Sequence, residues 1–350
     1  MMDGSDPEGE PVGSIPKIVT LGGGHGQSAV LAALRQIRCR LTAVISVADD
    51  GGCSGRLRSE IGMPPPGDLR RCLLAIAQDH ELAQRFSARI DLPTSTGRSV
   101  GNLALAWAYR RLGSLQAAID WAGAHLRCVG RVAAASEAPG VVVVYDRYRG
   151  TVEGEQNVEL PGATPMVAVV DGADQANPVA VSAVDEADLI VMGPGSFFTS
   201  TLSAVVSANL AGHICRSAAT KLYVANIDPE GSGGDEVRAL QYERMLADHL
   251  TIASRGDPVA LDLLRHDASY TSIARADGTR LLTAPIAKNP TAPEHDPDLL
   301  VQAFAHHFGL TRGVPVAPEG VSEDIDRTTL DLDQIVLEMS RLLSETATQR

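Results

Sequence analysis

The sequence predicts an α/β protein with a doubly wound, mainly parallel sheet that carries a helical and hairpin insertion. Two observations predict this class. A strand, a glycine loop, a helix and a second strand follow one another between residues 17 and 47, and the same alternation returns after residue 165. A strand that leads through a helix into the next strand is a βαβ unit, which implies parallel pairing and a right-handed crossover.

The first βαβ unit combines two short apolar runs with an amphipathic segment. Residues 17–21 and 41–47 are continuous apolar runs, typical of buried parallel strands, and residues 28–37 between them have helical spacing. Three prolines and a glycine at 64–67 then interrupt the chain. Asp68 follows them and is suited to cap a helix over residues 69–78.

The second half begins with a different pattern and then returns to alternation. Two strand-like runs within residues 141–160 surround Arg149 and Gly150, which predicts a hairpin. After it, the pattern predicts strands at 166–170, 189–192 and 222–225, helices over 199–211 and 236–249, and a final amphipathic helix over 330–343.

These elements predict a Rossmann-like organisation with three parts. We expect a disordered tail at residues 1–15, where acidic residues, glycine and proline dominate. A nucleotide-binding domain follows at 16–315, with the insertion at about 64–165. Residues 316–350 form a C-terminal segment that ends in a helix.

Composition excludes several classes of protein. The 350 residues carry a net charge of −13, which argues against a nucleic acid as the main partner, because such sites need basic stripes. The five cysteines form no C-x-x-C pair, so neither a disulfide framework nor a zinc site is supported. No apolar stretch reaches the ~18 residues of a membrane span, and the N-terminus is unlike a signal peptide. We therefore expect a cytoplasmic protein.

The strongest local signal is the glycine-rich loop between the first strand and the first helix. A loop of this kind brings backbone N–H groups and a helix N-terminus close to a phosphate, and glycines remove the Cβ atoms that would obstruct it. Gly24 and Gly26, with Ala29 as the third small residue, also fit the dinucleotide pattern. A tight turn without a ligand is the alternative. The residues predicted to bind are Gly22, Gly23, Gly24, His25 and Gly26.

A second signal follows the second predicted strand, at the edge where open α/β sheets bind ligands. Asp49 and Asp50 are suited to bind sugar hydroxyls, to act as a catalytic base, or to hold Mg²⁺ through the phosphates of a ligand, Asp50 above all. Ser54 and Arg56 are further ligand candidates, because a guanidinium can form a bidentate pair with phosphate. A solvated acidic turn is the alternative.

Four more segments supply candidate ligand contacts. The stiff proline loop precedes Asp68 and Arg70, and a possible helix start holds Asn102. A second glycine loop follows the strand predicted at 189–192, and Asn226 follows the strand predicted at 222–225. Helix capping and surface ion pairing are the alternatives for these residues. The candidates in this glycine loop and directly after it are Gly193, Gly195, Ser196 and Thr199.

Four motifs occur in order along the chain: VADDGGCSGRLR, MPPPGDLRRCL, GNLALA and GPGSFFTS. On these motifs the chain resembles the gluconeogenesis factor family, within the 2-phospho-L-lactate transferase-like superfamily. The resemblance implies a Rossmann-like, cytoplasmic and often dimeric protein that binds a UDP-sugar such as UDP-N-acetylglucosamine. It also implies that residues 22–26, Asp49, Asp50, Asn102 and residues 193–196 form the ligand crevice.

The function that we expect is that of a nucleotide-sugar-binding regulatory protein. The resemblance implies a role in growth, cell-wall synthesis and cell shape on gluconeogenic carbon sources, as a homodimer with a cell-wall synthesis protein as partner. A transferase of phosphorus-containing groups from a nucleotide-linked donor is the alternative, and an NAD(P)-binding oxidoreductase is the third. No cofactor is certain, although Mg²⁺ fits the aspartates. We expect the loop at 226–234 to become ordered when the ligand binds.

Overall fold

A computed structural model describes residues 14–48, 57, 58, 60–90, 97–154, 165–227, 234–289, 294–318 and 330–348. The strands are β1 Lys17–Gly22, β2 Arg40–Ile45, β3 Arg131–Ala134, β4 Val141–Asp146, β5 Gly150–Glu153, β6 Pro165–Asp171, β7 Leu189–Met192, β8 Thr220–Val224, β9 Asp262–His266, β10 Thr271–Ala274 and β11 Arg280–Ala284.

The α-helices alternate with these strands. They are α1 Gly24–Leu34, α2 Gly67–Ala75, α3 His80–Ser87, α4 Val100–Leu112, α5 Leu115–His125, α6 Pro178–Asp185, α7 Ser203–Val206, α8 Leu210–Arg216, α9 Gly234–Ala253, α10 Pro297–Phe308 and α11 Leu332–Thr348. Within the described ranges, none of the helices is both long and apolar enough to cross a membrane.

The main sheet has eight strands in the order β10-β11-β9-β8-β7-β1-β2-β3. Each pair of neighbouring strands between β11 and β3 in this order is parallel. Strand β10 lies at the edge of the sheet and pairs antiparallel with β11. Side chains of β1 alternate between two apolar cores: Ile18 packs into one, and Val19 and Leu21 pack into the other. Helix α1 covers the first core and helix α8 the second. The doubly wound, mainly parallel sheet is therefore confirmed.

The hairpin and the strand after it form a separate sheet. Strands β4 and β5 pair antiparallel on either side of the turn before Gly150, as predicted. The strand predicted at 166–170 is confirmed as β6. The expectation that the alternation of the main sheet resumes there is wrong, because β6 pairs antiparallel with β4 in a three-stranded sheet of order β5-β4-β6. Valines at 142, 143, 144, 169 and 170 lie in this pairing, so the apolar residues of β6 pack beside those of the hairpin strand β4.

The helix predicted over 199–211 is also wrong as a single element. Residues Phe197–Leu202 are π-helical, α7 is one turn long, and a 3-10 turn at Ser207–Asn209 precedes α8. Ala208 and Asn209 have left-handed φ values of 46° and 66°, which break the helix. Hydroxyls compete for the backbone here, since Ser203 Oγ donates to Thr199 O at 2.5 Å.

The predicted insertion and the C-terminal segment both contact the main body. The stretch 64–165 contains α2 to α5 and the hairpin, and it also contributes β3 to the main sheet. Helix α11 packs on α4, where Trp107 Nε1 donates to Glu338 Oε2 at 2.9 Å. Asp331 accepts hydrogen bonds from the amides of residues 333 and 334, which explains why α11 begins two residues later than predicted. Most of the predicted tail, residues 1–13, lies outside the described residues.

Candidate functional site

The candidate site lies where the strand order of the main sheet reverses. From β1 the chain winds to β2 and β3 on one side, whereas β7, β8 and β9 continue on the other side. Strands β1 and β7 are parallel neighbours, with Leu21 opposite Met192, so their following loops leave the same edge. Ligands in open α/β sheets bind in the crevice at such a switch point. We call residues 22–26 the first glycine loop and residues 193–196 the second glycine loop.

The two glycine loops touch through their backbones. A Cβ added at Gly26 would lie 2.7 Å from the carbonyl carbon of Pro194 and 2.8 Å from the amide nitrogen of Gly195. A Cβ added at Gly195 would lie 2.9 Å from the carbonyl oxygen of Gly23. Real Cβ atoms do not approach so closely. Glycine is therefore required at positions 26 and 195 for the loops to pack, and the floor of the crevice is backbone.

Helix α1 begins in this crevice without a side-chain cap. Its N-cap residue is Gly23, which has no side chain that could accept a hydrogen bond from the first amides of the helix. The first turn of the helix contains no acidic residue. Helices α4 and α5, by contrast, are capped by the hydroxyls of Ser99 and Ser114. The first amides of a helix lack intrahelical partners and carry the positive end of the helix dipole. The start of α1 therefore favours an anion in the crevice.

Asp68 and Ser200 border the first glycine loop. A Cβ at Gly23 would collide with Asp68 Oδ2 and lie 3.2 Å from Ser200 Oγ. The carboxylate of Asp68 is mostly buried and pairs with Arg71 at 2.6 Å. This pairing offsets the negative charge that Asp68 would otherwise present to an anion beside the loop.

Asn226 holds the second glycine loop in place. Its Oδ1 accepts a hydrogen bond from Gly195 N at 2.9 Å, and its Nδ2 donates to Gly195 O at 2.7 Å. The sequence predicts Asn226 as a ligand contact. In the structure its amide is engaged on both sides with the backbone of Gly195, so it positions the loop.

Two buried polar atoms beneath the glycine loops have no hydrogen-bond partner within the described residues. They are Gln27 Oε1 and Thr201 Oγ1. The first lies 3.0 Å from a Cβ built on Gly22, and the second lies 3.3 Å from a Cβ built on Gly193. The amide of Gln27 is anchored on its other side, where Nε2 donates to Thr20 Oγ1 at 2.5 Å. Unsatisfied buried polar atoms are rare in folded proteins, and a bound water or ligand is one common explanation.

A neutral histidine lies at the end of β8. His295 Nε2 is 3.1 Å from the carbonyl oxygen of Ala225, to which it donates, and burial lowers the pKa of His295 to about 4. The neighbouring Glu294 has a lowered pKa, mainly because Lys288 donates a hydrogen bond to it and to a smaller extent because of the charge of His25. The segment at 294–295 therefore approaches the exposed His25 of the first glycine loop.

Comparison with known proteins agrees with this architecture. The sequence model of the family described as 2-phospho-L-lactate transferase CofD matches residues 18–281. The chain belongs to the CofD family. A protein from Mycobacterium tuberculosis is 37% identical over 330 residues, which cover 88% of this chain and 95% of that protein. The Bacillus subtilis protein named gluconeogenesis factor is 32% identical over 246 residues, with 68% of this chain and 76% of that protein covered.

Coverage differs among CofD-family relatives. A Nostoc protein is 35% identical over 268 residues, which cover 72% of this chain and only 58% of the Nostoc protein. A crystal structure of a UPF0052 family protein from Bacillus halodurans superimposes with a TM-score of 0.69 at 27% identity. That superposition covers 82% of this chain and 97% of the other.

Some site residues predicted for this CofD-family chain are engaged with the protein itself. Asn102 is buried, and its Oδ1 accepts a hydrogen bond from Arg70 Nε at 2.9 Å. Ser196 caps the π-helical segment: its Oγ accepts a hydrogen bond from Thr199 Oγ1 at 2.6 Å and one from Thr199 N at 3.4 Å. These contacts fix the loops around the crevice, and whether the same side chains also touch a ligand stays a prediction.

The predicted carboxylate pair cannot be placed beside the loops. Asp49, Asp50, Ser54 and Arg56 lie outside the described residues. The preceding strand β2 ends level with the first glycine loop, because Ile45 is opposite Gly22. In the described part of the chain, no cluster of three or more histidine, cysteine, aspartate or glutamate residues could hold a metal ion. Magnesium binding through Asp50 therefore stays a prediction.

Sequence reasoning missed Gln27, Thr201 and His295. Gln27 directly follows the first glycine loop, and an amide at the start of an apolar helix is an available signal for a buried polar contact. Thr201 lies in a hydroxyl-rich run from which no single residue stands out. His295 lies within a stretch rich in proline and acidic residues, and only the fold brings it to the end of β8.

Proposed function

We propose that this protein binds the diphosphate of a sugar nucleotide, of the UDP-N-acetylglucosamine type, across the two glycine loops. The observation that carries the proposal is the backbone floor at the switch point, where Gly26 packs on Gly195 beside the uncapped start of α1. Backbone amides at such a helix start bind phosphate without any lysine, and the first glycine loop contains none.

The partnerless atoms beneath the loops support the same proposal. Gln27 Oε1 accepts hydrogen bonds, and Thr201 Oγ1 can donate or accept them. Together they suit a ligand or a bridging water that has both a hydrogen-bond donor and an acceptor. The Arg71 guanidinium pairs with Asp68, so the carboxylate beside the first glycine loop presents little net negative charge to a bound phosphate.

We propose that the protein has a regulatory role when the sugar nucleotide is bound, and that it does not convert this ligand into a product. A catalyst needs a group to activate a nucleophile or protonate a leaving group. Of the two histidines near the crevice in the described part of the chain, His295 is neutral above about pH 4 and donates to a backbone carbonyl, whereas His25 is exposed to solvent. The name of the Bacillus subtilis relative adds support for a function during gluconeogenic growth, and a link to cell-wall synthesis and cell shape belongs to this proposal.

The family match favours a second candidate, a transferase of phosphorus-containing groups. The family description names a 2-phospho-L-lactate transferase. Asp68 is a carboxylate beside the first glycine loop, where it is suited to hold Mg²⁺ against ligand phosphates. Release of a nucleoside monophosphate or diphosphate from a donor by the purified protein would favour this candidate.

The binding proposal can be tested with a charge-matched pair of variants. Gly24 has a left-handed φ of 70°, and a Cβ there would have 4.0 Å to its nearest neighbours. Asn and Asp both tolerate this backbone conformation and have the same shape, but only Asp adds negative charge. We expect Gly24→Asp to weaken UDP-N-acetylglucosamine binding by more than tenfold relative to Gly24→Asn, measured by calorimetry. Equal affinity of the two folded variants would contradict phosphate binding at this loop.

The ligand class follows from a panel run on the unaltered protein. UDP-N-acetylglucosamine, UDP, GDP and NAD should be compared by thermal unfolding, because a ligand at 100 times its Kd adds about 2.7 kcal/mol of stability. A larger stabilisation by NAD than by UDP would favour an oxidoreductase.

A further inference from the structure

A second cavity lies at the edge of the main sheet opposite to the glycine loops. Its volume is about 800 Å³. It is lined by residues at the start of β8 and β9 and by the ends of α8 and α9. Parallel strands all begin at this edge, so five residues of β8, roughly 16 Å, separate this cavity from the crevice. We call it the amino-edge cavity.

Cations line the amino-edge cavity in excess over carboxylates. Arg216, Lys221 and Arg255 all face it, and none of the three has a carboxylate within ion-pair distance in the described ranges. A fourth cation, Arg280, is neutralised by Asp262 at 2.6 Å. The remaining carboxylate in the lining is Asp257. In a chain whose net charge is −13, this local positive charge is unusual.

Lys221 is the most informative of these cations because it is buried. Its relative exposure is 9%, and its ammonium donates to the carbonyl oxygens of Ser217 at 2.7 Å and Ala219 at 3.0 Å. The other two lysines of the chain are exposed and pair with glutamates at 2.7 and 2.8 Å. A buried ammonium is costly unless a counter-ion accompanies it. The carbonyl dipoles meet part of that cost, and an anion in the cavity would meet the rest.

We propose that the amino-edge cavity binds a phosphate-bearing small metabolite, as a second site independent of the glycine loops. Its volume lies in the range of small-molecule sites, about 300–1,000 Å³. The guanidinium groups of Arg216 and Arg255 suit phosphate oxygens because their planar forks form bidentate hydrogen bonds. The ammonium of Lys221 supplies a further positive charge that is buried. The site requires no residue of the glycine loops.

The test uses the full chain and inorganic pyrophosphate as the probe. All variants are made in the Gly24→Asp background, which is expected to weaken phosphate binding at the first glycine loop. Calorimetry at low ionic strength should show pyrophosphate binding in this background. The double substitution Arg216→Ala/Arg255→Ala should weaken it at least tenfold. Arg110→Ala removes an exposed arginine from α4 instead and should leave the affinity unchanged.

Two results would overturn the proposal: no pyrophosphate binding in the Gly24→Asp background, or equal affinity in the double variant and the Arg110→Ala control. Lys221→Met provides an independent measurement, since it shortens the unbranched side chain by only one atom and removes its charge. We expect it to weaken pyrophosphate binding as well, with circular dichroism used to verify its fold. If Lys221→Met does not fold, the two exposed arginines still decide the outcome.

Discussion

Asn226 offers the sharpest test of how the crevice is built. Its side chain makes two hydrogen bonds to the backbone of Gly195, at 2.9 and 2.7 Å. Gly195 is the residue on which the first glycine loop packs. The substitution Asn226→Ala removes both bonds and adds no bulk. The second glycine loop then keeps its sequence but loses the group that fixes its position.

The size of the effect follows from the two bonds. Each intramolecular hydrogen bond contributes about 1 kcal/mol net, so their loss amounts to about 2 kcal/mol. If that free energy holds the loop in its binding conformation, it corresponds to an affinity loss of about 30-fold. The bonds are near the surface, where water can replace them, so the figure is an upper limit.

Two assays measure this effect separately. Hydrogen exchange at residues 193–196 needs no ligand, and the amide of Gly195 should exchange up to about 30-fold faster in Asn226→Ala. Calorimetry with UDP-N-acetylglucosamine should show a comparable loss of affinity. Unchanged exchange would show that Asn226 does not hold the loop. Faster exchange with unchanged affinity would separate the loop from the ligand.

Two further substitutions test buried groups near the crevice. Thr201→Val replaces the hydroxyl group that has no hydrogen-bond partner by a methyl group. It should raise the free energy of unfolding, measured with urea, by about 1 kcal/mol. A decrease of about 1 kcal/mol in the free energy of unfolding would mean that the hydroxyl has a partner. Burial lowers the pKa of His295 to about 4 in the folded protein from an ordinary value of 6.5, so its stabilising contribution is complete above pH 6.5 and is lost as the pH falls towards 4. The loss is at most about 3 kcal/mol, and His295→Gln should flatten this part of the stability profile, which urea unfolding at several pH values would detect.

The first βαβ unit could be predicted from the sequence because its signals are local. Residues 17–21 are a short apolar run, glycines follow at once, and helical spacing begins within the next few residues. Strand β1 and helix α1 form within a few residues of these limits, and β2 pairs with β1 in parallel. Strand β7 was predicted with its observed limits for the same reason, since four apolar residues end at a glycine.

Elements that depend on long-range pairing were harder to predict. An apolar run such as β6 does not specify its partner strand, and in the structure β6 pairs with the hairpin strand β4 instead of with the main sheet. Strands β9, β10 and β11 have only four or five residues each and mix apolar with polar or charged side chains, so they show little regular alternation. The π-helical segment depends on hydroxyl groups that bond to the backbone, a competition that helical spacing does not reveal.

The same distinction separates the two candidate binding sites. Each glycine loop is visible in the sequence by itself, but their contact through Gly26 and Gly195 exists only because β1 and β7 are neighbours. The amino-edge cavity has no sequence motif, since its cations come from the end of α8, the start of β8 and the turn after α9. A parallel sheet gathers loops at both of its edges, and glycines mark one edge while unpaired cations mark the other. Strand β8 joins them, with Lys221 near its beginning and Asn226 just beyond its end.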